Sequence, residues 1–260
     1  MARPYSDTPK AAVIVACGGI GARFQGNSTN MSSTSGNADM QTFSQTKQFL
    51  PLVGRPVLAH TLAGLERHPR VGPVVLVLPE QLLTLGDALV NGRWAACSEE
   101  RFLKVSIITA GGQNRQDSVA NGLSALADSG WDGPVLVHDG VRPYTPEKVF
   151  DRVIDGVLIH GNAIAAIPVR DTLKRVRNGI VSETIDRRDL WQTQTPQGFR
   201  IHELIDAYNE ARHTGLLFTD DASLFEATGR PVYLVEGDPA NIKLTYPEDL
   251  IVLEALFAAL

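Results

Sequence analysis

Three glycines near the start of the sequence are placed where a phosphate could be bound. Gly18, Gly19 and Gly21 follow the apolar run 11–17 and precede Arg23. Glycine lets backbone N–H groups approach an anion closely, because no Cβ intervenes and positive φ is accessible. The segment therefore predicts a phosphate cradle, although a plain tight turn after a strand would account for the glycines equally well.

A second candidate is the acid that follows the apolar run 134–137. Asp139 stands there between His138 and Arg142. A carboxylate suits Mg²⁺, which usually takes one or two carboxylates and completes its coordination with phosphate and water. Asp139 is therefore a candidate metal ligand, with a helix cap or a buried ion-pair partner as the alternative.

Cations recur at the segments that follow predicted strands. Lys243, in the short motif NIKLT, would be an ordinary exposed lysine if it stood alone. It is notable because it is one of five cations at such positions, which are Arg23, Lys47, Arg115, Arg142 and Lys243. The whole chain has a net charge of -5, so a local cluster of cations indicates a polyanionic substrate.

Several familiar kinds of catalytic site do not fit the sequence. It contains no G-x-S-x-G, no H-E-x-x-H, no P-loop motif and no cysteine–histidine metal spacing. A dinucleotide fingerprint needs a helix directly after the glycines, whereas this chain continues into a polar stretch at about 25–46. Among the reactions of phosphate-binding enzymes, group transfer from a nucleotide remains compatible with the sequence.

The elements that must position these residues are those of an α/β fold. Continuous apolar runs of strand length alternate with amphipathic segments, the pattern of strands buried on both faces and joined by helices. We expect an open, mostly parallel sheet within a single domain, 1–260. In such sheets the ligand crevice lies beyond the C-terminal ends of the strands, which is where the candidate residues stand.

The segment at about 170–190 departs from this rhythm. It is charged, lacks a core-forming period, and carries Asn178–Gly179 between β-prone runs, a strong hairpin signal. A two-stranded ribbon with so little apolar surface is unstable alone. We therefore predict a protruding β-arm that packs on a second copy of the chain, forming a homodimer.

Composition limits the partners. The chain of 260 residues has 43% hydrophobic residues and lacks the basic excess of proteins that coat nucleic acid or anionic membranes. No segment approaches the roughly 20 apolar residues that span a bilayer, and the N-terminus does not read as a secretory signal. We expect a cytoplasmic protein that binds neither nucleic acid nor membrane.

Taken in order, the motifs resemble one known family. GGIGARF, TKQFLPLVGRPVLAHTL, AGGQNRQDSV, VHDGVRP, PVRDTLKRV, IDRRDLWQTQTPQGF, TDDASLFE and NIKLTYPEDL are similar to segments of the 2-C-methyl-D-erythritol 4-phosphate cytidylyltransferases of the non-mevalonate isoprenoid pathway. The resemblance covers nearly the whole chain. It implies a Rossmann-like sheet of the nucleotide-diphospho-sugar-transferase type, dimeric through the arm.

The resemblance also implies an activity and a set of site residues. CTP and methylerythritol phosphate would give a cytidine diphosphate alditol and pyrophosphate, with Mg²⁺ on Asp139. Arg23, Lys47 and Lys243 match the catalytic cations. Gly18, Gly19, Gly112, Arg115 and Ser118 are assigned to CTP, and Arg142, Thr172, Arg187, Thr195 and Thr219 to the methylerythritol phosphate, with Arg187 reaching in from the partner's arm.

Two alternatives stay open at this point. Ribitol-5-phosphate cytidylyltransferase shares the glycine loop and the KQFL, QTPQ and NIK segments, although PVRDTLKR, DRRDLW and TDDAS resemble the methylerythritol family more. A nucleotide-binding protein without catalytic activity is the other alternative. The presence of Asp139 together with the three matching cations argues against it.

Overall fold

A computed structural model describes residues 9–17, 46–97, 100–214 and 218–259. Within these ranges the chain forms an α/β structure around a seven-stranded sheet, accompanied by two separate two-stranded ribbons. None of the helices in this part of the chain is both long enough and apolar enough to cross a membrane. The predicted fold class, an α/β sheet flanked by helices, is confirmed.

The strands are, in chain order, β1 (Ala11–Ala16), β2 (Pro51–Leu52), β3 (Arg55–Pro56), β4 (Val71–Leu78), β5 (Val105–Ala110), β6 (Pro134–Asp139), β7 (Asn162–Pro168), β8 (Leu173–Arg177), β9 (Ile180–Ile185), β10 (Trp191–Arg200) and β11 (Leu234–Glu236). The α-helices are α1 (Val57–Arg67), α2 (Leu83–Val90), α3 (Arg115–Asp128), α4 (Glu147–His160), α5 (Ile201–Thr214), α6 (Asp221–Ala227) and α7 (Glu248–Ala258). Lys47–Phe49, Glu80–Leu82 and Ala95–Cys97 form short 3-10 helices.

The central sheet has the strand order β11-β7-β10-β6-β1-β4-β5. Strand β1 pairs in parallel with β4 and β6, β4 with β5, and β11 with β7. Strand β10 alone runs in the opposite direction, antiparallel to both β6 and β7. The sheet is therefore mostly parallel, as the apolar runs predict.

Both faces of the sheet are covered, which explains why its strands are apolar without alternation. In β1, Val13 and Val15 belong to a core that includes residues of α1 and α4. The intervening Ile14 belongs to a second core with residues of α3, α5 and α6. Since successive side chains of a strand point to opposite faces, helices on both sides bury every position.

Strand β10 was not identified by the sequence analysis. Its segment 192–197 is polar and contains Pro196, which argues against a central strand. The pairing with β7 is irregular between Thr193 and Gln197, so the proline lies in a bulge and costs no ladder hydrogen bond. The bulge lies at the same edge as the C-terminal end of β6, because β10 runs antiparallel.

The hairpin predicted around Asn178–Gly179 is present and is formed by β8 and β9. Asn178 and Gly179 form its turn with φ of 50° and 78°, the geometry that favours this dipeptide. Val176, Ile180 and Val181 are all more than half exposed along it. The hairpin thus has an apolar surface that its own chain leaves uncovered in the described part.

Candidate active site

Asp139, the last residue of β6, lies among three cations. Its Oδ2 is 3.0 Å from the Lys243 ammonium and 3.3 Å from Nε of Arg142, and its Oδ1 is 3.8 Å from Nε of Arg115. Three of the five cations predicted to gather at the strand ends are therefore together. They come from α3, from the loop after β6 and from the loop before α7.

These cations determine the charge of the acid. Burial by itself would raise the pKa of the Asp139 carboxyl, but Lys243, Arg142 and Arg115 outweigh burial and hold that pKa well below its usual value. Arg142, buried and partly opposed by Arg115, has a lowered pKa but stays charged, as arginine does in proteins. Asp139 is accordingly a carboxylate at neutral pH.

A cavity of about 230 Å³ opens beside this group. It is lined by Arg115, Asp139, Arg142, Thr193, Gln194, Thr195, Gln197, Thr219, Asp220 and Lys243. Three of these side chains are cationic and two are acidic, and the remainder are hydroxyl or amide groups that donate and accept hydrogen bonds. The lining is suited to an anion that brings several oxygen acceptors.

His138, beside Asp139, is a fixed part of the scaffold. The Thr145 hydroxyl donates its one proton to Oδ1 of Asn241 (2.9 Å), so at 3.4 Å it can only accept from Nε2 of His138. The Nδ1 atom then accepts from the Thr195 hydroxyl, at 3.0 Å. Burial, aided by nearby cations, lowers the pKa of His138 to about 3, so the ring is neutral.

The amide side chains of Asn241 and Gln194 join the remaining segments. The Asn241 side chain donates to the Thr195 carbonyl (2.8 Å), and the backbone carbonyl of Asn241 accepts from the Arg142 guanidinium (2.7 Å). Gln194 donates to the Asp238 carbonyl (2.8 Å) and accepts from the backbone N–H of the same residue (3.1 Å). These bonds hold the bulge of β10, the loop after β6 and the segment before Lys243 in one arrangement.

A fully buried acid lies behind Arg115, which lines the cavity. Asp221 accepts hydrogen bonds from Arg115 (2.7 Å) and from the Tyr208 hydroxyl (2.6 Å). Burial and the adjacent Asp221 raise the pKa of Tyr208, so it remains a neutral donor. Gln197 accepts from the backbone N–H groups of Asp221 and Ala222 at 3.1 Å each, fixing the first turn of α6. Arg115 is thereby held between two carboxylates.

The comparisons with known proteins identify the family to which this arrangement belongs. A family model described as IspD, 2-C-methyl-D-erythritol 4-phosphate cytidylyltransferase, matches residues 31–259. The chain belongs to this family. The resemblance found in the sequence motifs is therefore confirmed.

Individual relatives agree with the family assignment. A 2-C-methyl-D-erythritol 4-phosphate cytidylyltransferase of Geotalea uraniireducens (strain Rf4) is 43% identical over 209 residues, which are 80% of this chain and 87% of that protein. A protein of the same name from Syntrophus aciditrophicus (strain SB) is 39% identical over 248 residues, 95% of each chain.

Solved structures share the fold over almost the full length. A crystal structure of a 4-diphosphocytidyl-2C-methyl-D-erythritol synthase is 30% identical with a TM-score of 0.75, covering 96% of this chain and 99% of that one. The 2-C-methyl-D-erythritol 4-phosphate cytidylyltransferase of Thermus thermophilus is 29% identical with a TM-score of 0.69, covering 96% and 100%.

The residues assigned by resemblance to this cytidylyltransferase family are only partly brought together. Arg115, Asp139, Arg142, Thr195, Thr219 and Lys243 line the cavity. Lys47 lies near it, because its ammonium donates to the carbonyl of Thr245 (2.8 Å), two residues beyond Lys243. Gly18, Gly19 and Arg23, as well as nearly all of the polar stretch 25–46, fall outside the described residues.

Gly112 and Ser118 form a turn at the start of α3. The Ser118 hydroxyl accepts from the Gly112 N–H (3.1 Å) and donates to the Asn114 carbonyl (2.8 Å), and the side chain is fully buried. A Cβ on Gly112 would lie 2.2 Å from Cβ of Asp117, so only glycine fits. In this structure both residues hold the turn that presents Arg115.

Thr172 and Arg187, assigned to the substrate, flank the hairpin of β8 and β9 and do not line the cavity of their own chain. Both are exposed, and Arg187 donates to the carbonyl of Arg170. Within the described residues, no set of three or more histidine, cysteine, aspartate and glutamate side chains is grouped to bind a metal. A metal at Asp139 would therefore need oxygen ligands from a phosphate.

Sequence reasoning assigned no role to four buried residues in and around the site: Gln194, Gln197, Asp221 and Asn241. All four are buried and fully engaged in hydrogen bonds. The signal was present, since they lie in the QTPQ, TDDAS and NIK segments that carry the family resemblance. Their contribution is to hold the charged groups in place.

Proposed function

We propose that this protein transfers the cytidylyl group of CTP to 2-C-methyl-D-erythritol 4-phosphate. The products are 4-diphosphocytidyl-2-C-methyl-D-erythritol and pyrophosphate. Family membership supplies the reaction, and the observation that supports it in this chain is the position of Asp139, Arg115, Arg142 and Lys243 around one cavity. An anionic substrate and a nucleoside triphosphate are what such a lining binds.

The nucleophile in this reaction is an oxygen of the alditol phosphate. A phosphomonoester with a second pKa near 6 is largely dianionic at neutral pH, so no general base is needed. The bond from this oxygen to the α-phosphorus of CTP forms as the bond to the bridging oxygen breaks, and the electron pair leaves with pyrophosphate. The neutral His138 is consistent with this, because both its ring nitrogens are already hydrogen-bonded.

The obstacle to the reaction is electrostatic. A dianion must approach a triphosphate, and their repulsion is stronger where water is excluded. Arg115 and Arg142 are held rigidly by Asp221 and Asp139, so they present positive charge without reorganisation. Lys243 is the most exposed of the three at 44%, and we expect its ammonium to turn from Asp139 towards the α-phosphate.

Mg²⁺ fits the donor set at this site. The Asp139 carboxylate lines the cavity and is ionised at neutral pH, and Mg²⁺ characteristically combines one or two protein carboxylates with phosphate oxygens and water. When bound, the ion would supply charge neutralisation between phosphate groups. Asp139 would hold it, and Arg115 and Arg142 would keep that carboxylate oriented.

The arm completes the proposal. Val176, Ile180 and Val181 give the hairpin an exposed apolar face, and we propose that a second copy of the chain covers it. Arg187, whose side chain is outside its own cavity, would then bind the substrate phosphate in the partner's site together with Thr172. An arginine suits this role because its guanidinium can bind a phosphate bidentately.

Mixed dimers test the arm. Arg187→Ala and Lys243→Ala subunits, each inactive alone, are mixed and refolded together. If the arm serves the partner's site, the mixture recovers activity, because some sites combine an intact arm with an intact Lys243. No recovery would show that Arg187 acts within its own chain or not at all.

The decisive experiment for the function measures pyrophosphate release from CTP with methylerythritol phosphate. Ribitol 5-phosphate is the matched control substrate, and CTP alone controls for hydrolysis. We expect release with methylerythritol phosphate to exceed both controls by at least tenfold. A preference for ribitol 5-phosphate would identify that compound as the substrate instead. Binding of CTP without release of pyrophosphate would indicate a nucleotide-binding protein without catalytic activity.

A further inference from the structure

A second cavity lies on the other side of the loop that carries Arg142. Its volume is about 640 Å³, within the range of small-molecule sites. It is bounded by α1, by the segment 143–147 and by Phe257 near the end of α7. No residue lines both this cavity and the catalytic one.

Gly64 indicates that this space is maintained. It lies inside α1, where glycine weakens a helix, and it lines the cavity. A Cβ built at Gly64 would meet no atom within 4 Å, so nothing in the described packing requires glycine there. A larger residue would strengthen the helix and occupy the cavity.

The glycines of the other described helices contrast with Gly64. A Cβ would lie 2.2 Å from the Leu78 side chain at Gly86, 2.8 Å from Ile14 at Gly122, and 2.4 Å from Ala163 at Gly156. Each of those glycines therefore allows a helix to pack closely on the sheet. Among these four glycines, Gly64 alone destabilises its helix without allowing a closer packing contact.

Val53, at the cavity's rim, shows a similar cost. It has a φ of 48°, in the left-handed region that β-branched residues avoid, and it is followed by Gly54 at 76°. Asparagine would adopt this turn more readily. The sequence instead retains an apolar side chain, 57% exposed, facing the cavity.

The lining combines flat rings with hydrogen-bonding groups. The Phe257 ring lies 4.5 Å from the His60 ring and 6.2 Å from the Tyr144 ring, measured between centroids. His60 donates from Nε2 to the Leu52 carbonyl (2.7 Å), which leaves Nδ1 as an acceptor. Such walls suit a flat, apolar body.

The charge at the rim is mixed, with one unpaired cation among the described lining residues. Arg67 forms no ion pair with any described residue, and Nε of Arg55 is buried without a hydrogen-bond partner among the described atoms. Arg55 itself is ion-paired with Glu100, and Glu147 contributes one acid to the lining. A ligand with a single negative charge matches this arrangement better than a polyanion.

The wall at residues 143–146 connects the two cavities. Thr145 lines the second cavity, and its hydroxyl donates to Oδ1 of Asn241 (2.9 Å), whose backbone carbonyl accepts from Arg142 (2.7 Å). Arg142 immediately precedes this wall in the chain. A ligand that displaces the wall must therefore also displace groups that position Asp139 and Lys243.

We propose that this cavity is a second ligand site, specific for a flat apolar or aromatic molecule with one anionic group, and that occupancy changes catalysis through Thr145 and Arg142. The site is separate from the one that binds the reacting phosphates. Its occupant is a regulator, neither substrate nor product.

Binding is tested on the full chain with anilinonaphthalene sulfonate, an aromatic monoanion whose fluorescence rises on binding. Gly64→Leu fills the cavity, and Gly64→Ala is the matched control that restores helix propensity while adding only one methyl. Both variants should unfold about 2 to 4 °C higher than the wild type, which shows that they fold. Gly64→Leu should bind the probe at least tenfold more weakly, and Gly64→Ala within threefold of wild type.

Two further measurements complete the test. Arg67→Gln should weaken binding about fivefold, and equal affinity in Gly64→Leu and wild type would refute the site outright. In the pyrophosphate assay, saturating probe should change kcat or KM at least twofold in the wild type and not in Gly64→Leu. Binding without such a change would refute the coupling, and the binding measurement itself requires no turnover.

Discussion

Replacing Lys243 by methionine should separate catalysis from stability at this site. The substitution removes the ammonium and keeps most of the side-chain length. Asp139 loses its contact at 3.0 Å but keeps Arg142 at 3.3 Å and Arg115 at 3.8 Å, so it is not left as an unpaired buried charge. Lys243 is 44% exposed, and solvent-screened pairs of this kind contribute about 0 to 1 kcal/mol. The expected fall in Tm is at most about 4 °C.

The effect on turnover should be far larger. Loss of a cation that offsets transition-state charge in phosphoryl transfer costs about 10³ to 10⁵ in kcat, and we expect the lower part of that range because Arg115 and Arg142 remain. CTP binding should be retained, since the rest of the lining is unchanged. The prediction is thus a loss of about a thousandfold in kcat with a nearly unchanged Tm.

Lys148 provides a matched control for this experiment. Its ammonium is 2.9 Å from Oδ2 of Asp238, a contact like that of Lys243, and its side chain is 58% exposed. It does not line the catalytic cavity. Lys148→Met should therefore resemble Lys243→Met in Tm and resemble the wild type in pyrophosphate release.

Pyrophosphate release under saturating substrates, together with thermal unfolding, decides the matter. Turnover of Lys243→Met within tenfold of wild type would exclude the lysine from charge stabilisation. A fall in Tm much larger than that of Lys148→Met would show instead that Lys243 is structural. Either result would refute the reasoning.

Three further outcomes follow from the buried groups, each measured by urea unfolding. Thr145→Val should lower the free energy of unfolding by about 1 to 3 kcal/mol, because His138 and Asn241 both lose the hydroxyl as a hydrogen-bond partner. Asp221→Asn should cost about 3 to 5 kcal/mol, whereas Asp132→Asn, at an exposed pair with a histidine, should cost under about 1 kcal/mol; similar costs for the two would contradict the burial argument. Because the pKa of Asp139 is lowered in the folded state, its ion pairs stabilise the protein at neutral pH, and this contribution should fade as pH falls below about 3.9. The difference in free energy of unfolding between wild type and Asp139→Asn should then shrink towards acid pH. A difference that grows at acid pH would show that the Asp139 ion pairs do not stabilise the folded state in this way.

Periodicity predicted the buried strands well. The apolar runs 11–17 and 134–137 fall within one residue or two of the bounds of β1 and β6. Such strands are covered by helices on both faces, so hydrophobicity alone marks them. The hairpin at Asn178 was equally legible, because its turn needs positive φ at two successive residues.

Strand β10 could not be found by the same reasoning. Its pairing with β6 and β7 is maintained although several of its residues are polar, since Gln194, Thr195 and Gln197 find hydrogen-bond partners inside the site. A hydrophobic pattern in one sequence reveals strands that bury apolar side chains. It does not reveal strands whose buried polar side chains are hydrogen-bonded to distant segments. The partner of Gln194, for instance, is 44 residues away in the chain.

The same limit applies to the site. Charge and position in the chain placed Arg115, Asp139, Arg142 and Lys243 at one edge, and the structure has them around one cavity. What the sequence could not supply is the distribution of partners, in which the buried acid Asp221 holds Arg115. That pairing depends on α3 and α6 both packing against α5, a tertiary fact.

This distribution bears on how the site could work without a dedicated base. The two arginines are held by acids and are largely buried, whereas the lysine is tied to Asp139 by one contact and is half exposed. A rigid positive frame with one movable cation can accept a polyanion and still respond as charge shifts during transfer. Arg142→Lys should therefore weaken this frame. An ammonium cannot donate to the Asn241 backbone carbonyl and to Asp139 in the planar geometry that the guanidinium provides.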